Sequence, residues 1–151
     1  MGMRNKRILA ILFAIALILI CCEKNTIDKF GVTDFSHSTC KNSTNKSTNT
    51  QETITLESIN TKEIRINHNN TIFNCCPGKL VANAKIITDT IIIDESATES
   101  ACNCICPYDF EFTIGKLEYG NYVFILRKDN FDYSKFTLNF NKDTDTTIII
   151  Q

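Results

Sequence analysis

The sequence predicts an all-β protein whose folded part is a small antiparallel β-sandwich of roughly seven to nine strands. From Glu52 onward, apolar and polar residues alternate with a period of two, which is the pattern of strands with one buried face. The apolar runs are short, rich in Ile, Thr, Phe and Tyr, and separated by turn residues. No long window has the 3.6-residue periodicity of an amphipathic helix.

The strands can be assigned in chain order. The predicted segments are ITLESI, KEIRINH, TIFNCC, KLVANAKII, TIIIDE, YDFEFTI, NYVFIL, KFTLNF and TTIIIQ. Pro77-Gly78 predicts a turn after the third segment, Thr88-Asp89 predicts a hairpin tip, and ESATES (95–100) predicts a loop. In YDFEFTI, Tyr108 and every second residue after it share one face, which we expect to be buried.

The N-terminus has the layout of a secretory signal. The basic stretch MGMRNKR precedes an unbroken apolar run from Ile8 to Ile20. As a helix, this run would rise only about 20 Å, whereas a membrane core is about 30 Å thick. We therefore expect residues 1–21 to be a signal peptide rather than a permanent transmembrane helix.

The apolar run ends in Leu19-Ile20-Cys21-Cys22. This stretch resembles the lipobox of bacterial lipoproteins, in which Leu lies three residues before the lipidated cysteine and a small residue lies directly before it. Cys22 is the expected acceptor, because Cys21 would be preceded by the branched Ile20; here Cys21 takes the place of the usual Gly, Ala or Ser. The resemblance implies a diacylglycerol and an N-acyl chain on Cys22. It also implies an exported protein anchored on the periplasmic or surface face of the cell envelope.

Residues 22–51 are predicted to be a disordered polar tether, because their second half consists almost entirely of Ser, Thr, Asn and Lys. Residues 52–151 then form one β-sandwich domain. Within it, Leu117, Gly120 and Tyr122 resemble the L-x-x-G-x-Y pattern of Ig-like and transthyretin-like modules, which implies such a sandwich and no activity. The domain also resembles small lipoproteins of the Bacteroides group, from which no mechanism follows.

Six cysteines remain after the lipidated one: Cys40, Cys75, Cys76, Cys102, Cys104 and Cys106. The last three lie at alternate positions, and we call them the Cys102–Cys106 row. The row continues the face of Tyr108, so we expect it to point inward. Exported cysteines that lie close together normally form disulfides, so we expect Cys75 or Cys76 to pair with the row. The sequence leaves the connectivity open, and Cys40 either clamps the tether to the domain or stays free.

A metal site is the alternative interpretation of the same residues. Thiolates suit Cu(I) or Zn, and the alternative ligand set comprises His68, Cys75, Cys76, Cys102, Cys104 and Cys106. However, the spacing is C-x-C-x-C rather than C-x-x-C, and a histidine at a strand end is usually structural. A redox-active dithiol would favour C-x-x-C at a helix N-terminus, which the sequence lacks. Structural disulfides are therefore the favoured interpretation.

Charge and motifs indicate a protein that is not an enzyme. Loss of residues 1–21 leaves 13 basic and 17 acidic residues, a formal charge of −4, and no basic patch for nucleic acid. Hydrolase, zinc-protease and phosphate-loop motifs are absent from the sequence, so we predict no catalytic residue and no cofactor except the lipid. Asp94 and Glu95 could be paired carboxylates but are expected to be a solvated strand end. The predicted role is a binding or structural module with an unidentified protein or glycan partner; an inhibitor of a protease or host enzyme is a third possibility.

Overall fold

The computed structural model describes residues 29–41 and 51–150. The predicted signal peptide, Cys22 and the polar half of the predicted tether lie outside these residues. The described part contains nine strands: β1 (Gly31–His37), β2 (Thr53–Ser58), β3 (Glu63–Asn74), β4 (Leu80–Ile87), β5 (Thr90–Ala97), β6 (Ile105–Gly115), β7 (Gly120–Lys128), β8 (Phe131–Phe140) and β9 (Asp145–Ile149). In this part of the chain, no helix is long and apolar enough to cross a membrane.

The strands form two sheets, which confirms the prediction of an all-β sandwich. The first sheet has the order β1-β6-β3-β2-β9, and the second has the order β4-β5-β7-β8. One pair departs from the expected antiparallel arrangement, because β5 and β7 are parallel, with Thr90 opposite Val123. The chain leaves the second sheet after β5, runs back through the first sheet as β6, and returns as β7 in its original direction. Alternating polarity does not encode this route, because both orientations bury every second residue.

The core lies between the sheets and follows the predicted parity. Ile66 on β3 is opposite Phe112 on β6, and both side chains are fully buried. Phe73 stacks on Phe110 with their ring centroids 5.4 Å apart. The predicted inward face of Tyr108, Phe110 and Phe112 is confirmed. Each such side chain contributes about 1.5–3 kcal/mol by leaving water.

The prediction of a disordered tether over residues 22–51 is wrong for residues 31–37. Residues 31–37 form β1, which pairs with β6 through Val32 opposite Ile114. Phe35 packs edge-on against Phe110 at 5.4 Å between ring centroids. The described residues of this segment include Phe30, Val32 and Phe35, which pack against the core and offset the entropy cost of ordering the chain. The folded domain therefore begins about 20 residues before the predicted boundary at residue 52.

The turns were predicted more accurately than the loop. Thr88 has φ 57° between β4 and β5, which confirms the hairpin tip at Thr88-Asp89. Gly78 has φ +61°, and a Cβ there would come within 2.7 Å of the Thr98 hydroxyl, so this bend requires glycine. The loop predicted at residues 95–100 was wrong in its first half, because β5 continues to Ala97, opposite Leu80.

Candidate functional site

Charged and polar side chains from both sheets meet inside the sandwich. We call Glu52, His68, Glu95, Lys128 and Tyr133 the ionic cluster. His68 lies on β3 and Glu52 directly precedes β2, so these two belong to the first sheet. The other three lie on β5, β7 and β8 of the second sheet. The ionic cluster therefore links the two layers.

His68 is the centre of this cluster. It follows Ile64 and Ile66 on the inward parity of β3, and its side chain is completely buried. Its Nδ1 lies 2.8 Å and 3.0 Å from the two carboxylate oxygens of Glu95, which is also completely buried. Its Nε2 lies 2.9 Å from Glu52 Oε1, an ion-pair contact without the alignment of a hydrogen bond. Both ring nitrogens thus face carboxylates.

The surrounding charges keep His68 protonated. Burial by itself lowers the pKa of an imidazole, but the Glu95 and Glu52 carboxylates outweigh it and raise the pKa of His68 to about 9. With His68 and Lys128 positive and the two glutamates negative, the ionic cluster is neutral. Loss of the imidazole proton would leave an uncompensated negative charge between the sheets.

Lys128 and Tyr133 complete the cluster on the side of Glu52. The Tyr133 hydroxyl donates a hydrogen bond to Glu52 Oε2. Lys128 Nζ lies 3.6 Å from Glu52 Oε1 and 4.0 Å from the centroid of the Tyr133 ring, a cation–π contact. Burial raises the pKa of Glu52, but the contact with His68, the hydrogen bond from Tyr133 and the charge of Lys128 reverse this and leave the pKa lowered. Burial and the neighbouring Glu52 carboxylate raise the pKa of Tyr133.

This arrangement corrects one expectation about the acidic pair on β5. Asp94 faces the outer side of the sheet, where its carboxylate accepts a hydrogen bond from the backbone N–H of Asn130. Glu95 was predicted to be a solvated strand end and is instead buried against His68. The alternation along Ile91, Ile93 and Glu95 carried the signal, since all three share inward parity. Because the carboxylate has a partner, the strand can keep its parity with a charged residue.

The six cysteines of the described residues form three disulfides, Cys40–Cys106, Cys75–Cys104 and Cys76–Cys102. Both Cys75 and Cys76 reach the Cys102–Cys106 row, and Cys40 joins the N-terminal segment to β6. Only Cys106 continues the inward row as predicted. The strand begins at Ile105, so Cys102 and Cys104 precede it and are more exposed. The expectation that the whole row points inward was therefore wrong for these two.

The alternative metal ligand set is not brought together in the described residues. His68 contacts carboxylates rather than sulfur. A different set of three sulfur atoms does converge, since the Sγ atoms of Cys40, Cys75 and Cys106 all lie within 4.8 Å of one another. We call the three disulfides, formed by Cys40, Cys75, Cys76, Cys102, Cys104 and Cys106, the cysteine region.

A polar groove lies on the outer face of the first sheet. It is lined by Ser36, His37, Ser38, Asn67, Asn69, Asp109, Phe110 and Glu111. The Asp109 carboxylate accepts a hydrogen bond from the backbone N–H of Asn70 and pairs with the Lys41 ammonium. The backbone N–H of Asp109 donates a hydrogen bond to the Ser38 hydroxyl, and its carbonyl accepts one from the backbone N–H of Ser38. The groove offers amide, hydroxyl and carboxylate groups to a polar partner.

Comparison with known proteins adds no assignment: no family model, curated protein or solved structure matches the chain.

Proposed function

We propose that this chain is an exported, lipid-anchored protein of the cell envelope whose β-sandwich serves as a non-enzymatic binding or structural module. One observation supports the proposal most strongly: all six cysteines of the described residues are paired in disulfides. Such pairing suits an oxidising compartment. The lipobox-like sequence at Leu19 to Cys22 supports export with a lipid on Cys22.

The state of the ionic cluster supports a role without catalysis. A general acid or base must reach a substrate, within hydrogen-bond distance or through one water. His68 and Glu95 are fully buried, and each contacts the other. These groups therefore act on one another, as cross-links between the sheets.

The polar groove on the first sheet is the surface that best suits a partner. Its hydroxyl, amide and carboxylate groups can exchange hydrogen bonds with the hydroxyls of a glycan or with a polar protein surface. On a lipid-anchored protein, such a surface would face molecules outside the membrane. The lipid supplies the membrane attachment, so the domain needs no basic patch for this purpose.

Intact-mass measurement of the protein extracted from bacterial membranes tests the anchor. We expect loss of residues 1–21, added mass from acyl chains, and partition into the detergent phase. Cys22→Ala should abolish acylation, because the diacylglycerol needs a thiol. The matched control Cys21→Ala, which places a usual small residue before the acceptor, should still be acylated. An unacylated native chain that retains Met1 would overturn the proposal.

Metal binding by the reduced protein is a second candidate, favoured by the convergence of Cys40, Cys75 and Cys106. Three thiolates at this spacing suit Cu(I) or Zn. Thiol counting on the denatured, unreduced protein, with elemental analysis of the same sample, separates the candidates. Blocked thiols without metal support disulfides, whereas free thiols with bound copper or zinc support the metal site.

A further inference from the structure

We propose that the cysteine region is a site of thiol–disulfide exchange. In this proposal Cys104 receives an external thiol, and Cys75 passes the exchange on to the Cys40–Cys106 disulfide. The proposal concerns the chemistry of the domain itself and is independent of the lipid anchor.

The first supporting observation is that two disulfides lie side by side. Cys75 is bonded to Cys104, yet its Sγ lies within 4.8 Å of the Sγ atoms of both Cys40 and Cys106. The end of β3 places it there, because Phe73 is opposite Cys106 in the ladder between β3 and β6. A thiolate released at Cys75 would therefore be formed next to an intact disulfide.

The second observation is a difference in exposure. Cys104 is exposed, in the connection that precedes β6. Cys106 is only 6% exposed and belongs to the core, and Cys75 is half-buried. An external thiol therefore reaches the sulfur of Cys104 more readily than the other sulfurs of these two disulfides. Access is one of the factors that set the rate of thiol–disulfide exchange.

The exchange proceeds in two balanced steps. The external thiolate bonds to Cys104 Sγ, the Cys75–Cys104 bond breaks, and the electron pair leaves on Cys75 Sγ. The Cys75 thiolate then bonds to Cys106 Sγ, the Cys40–Cys106 bond breaks, and the electron pair leaves on Cys40 Sγ, which takes a proton from water. The external thiol ends as a mixed disulfide on Cys104, and one new thiol appears at Cys40.

Solvation decides which sulfur leaves in the second step. A thiolate at Cys40 is partly exposed and can be hydrated, whereas a thiolate at Cys106 would be a charge within the core. We therefore expect attack on Cys106 and release of Cys40. Release of Cys40 removes the covalent link between the N-terminal segment and β6 and leaves β1 held by its ladder and its packing.

The direct test treats the oxidised full-length protein, under native conditions, with one equivalent of glutathione. The sample is then quenched in acid, alkylated and mapped by mass spectrometry. We expect glutathione on Cys104, a Cys75–Cys106 peptide, and the alkyl group on Cys40 with loss of the Cys40–Cys106 peptide. A Cys40–Cys75 peptide would also support the exchange, because it would show that the Cys75 thiolate attacked Cys40 Sγ instead of Cys106 Sγ. Glutathione mainly on Cys76 or Cys102, or an alkylated Cys75 beside an intact Cys40–Cys106 bond, would overturn it.

Two matched variants test the second step without any external thiol. Cys104→Ser leaves Cys75 unpaired, and we expect the free thiol to be recovered mainly at Cys40. Cys102→Ser is the control, because it leaves Cys76 unpaired; there we expect the free thiol to stay at Cys76. A free thiol confined to Cys75 in folded Cys104→Ser protein would contradict the proposal. If this variant fails to fold, the glutathione experiment on the unchanged protein still decides.

Discussion

The cysteine region and the ionic cluster cross-link the same sandwich in different ways. Two of the disulfides, Cys75–Cys104 and Cys76–Cys102, join the two connections that cross between the sheets, β3 to β4 and β5 to β6. The ionic cluster instead joins the inner faces of the sheets, with His68 on one layer and Glu95 on the other. Covalent cross-links thus secure the end of the sandwich, and charge pairs secure its interior.

The two kinds of cross-link stabilise the fold through different states of the chain. A disulfide acts chiefly by restricting the unfolded chain, so its contribution grows with the loop that it closes. A buried ion pair acts in the folded state, where removal of one partner leaves a charge without compensation. The first kind depends on sequence separation and redox conditions, and the second depends on pH. Three measurements separate them.

Loss of the disulfide that closes the longest loop should destabilise the protein most. Cys40 and Cys106 are 66 residues apart, and closure of such a loop contributes about 4 kcal/mol. We expect the double variant Cys40→Ser, Cys106→Ser to lose about this much free energy of unfolding in urea titrations. The control removes Cys76 and Cys102, which are 26 residues apart. The remaining Cys75–Cys104 disulfide closes almost the same loop, so the control should lose only about 2 kcal/mol. A larger loss in the control would show that loop length does not govern the cysteine region.

Loss of the buried ion pair between Glu95 and His68 should have the next largest effect on stability. Glu95→Gln keeps the shape of the side chain and removes its charge, which leaves the imidazolium of His68 with one carboxylate fewer. We expect a loss of about 3 kcal/mol in free energy of unfolding. Asp94→Asn is the matched control, because Asp94 neighbours Glu95 in the chain but its carboxylate faces outward. This variant should lose less than about 1 kcal/mol of free energy of unfolding. Equal losses in the two variants would remove the distinction between the buried and exposed acids.

The titration of His68 should change the free energy of unfolding least at neutral pH. Its pKa rises from 6.5 in the unfolded chain to about 9 in the folded protein. Its contribution to stability is therefore complete below about pH 6.5 and is lost as the pH rises through 9, a total of about 3 kcal/mol. Urea titrations of the oxidised protein between pH 6 and 10 should show this fall.

Two variants locate the source of that fall. His68→Gln should be less stable than the unchanged protein at pH 6 and should lack this dependence. His37→Gln alters the exposed histidine on β1, leaves the ionic cluster intact, and should retain it. A fall of equal size in His68→Gln would assign the titration to another group.

The cysteine region was partly predictable because cysteine as a residue type already indicates disulfide formation in an exported chain. The six cysteines that follow the export-like N-terminus and Cys22 indicate disulfides, and the Cys102–Cys106 row pointed to Cys75 and Cys76 as partners. The connectivity was open, because it depends on which segments meet. The prediction that the row points inward was wrong for Cys102 and Cys104, because β6 begins only at Ile105.

The ionic cluster was missed because its members are common residues far apart in the sequence. His68 and Glu95 are separated by 27 residues, and Glu52 and Tyr133 by 81. The inward parity of His68 after Ile66 was visible, but nothing in the sequence placed a carboxylate opposite it. Such pairs become apparent only when the sheet order is known.

Local sequence is enough to specify the fold class, the hairpin at Thr88-Asp89 and the core face of β6, because alternation and turn preferences act over a few neighbouring residues. Local sequence does not specify that β1 joins the first sheet, that β5 and β7 are parallel, or that Glu95 contacts His68. These features depend on which strands become neighbours, a choice made by the packing of the whole sandwich rather than by any single segment.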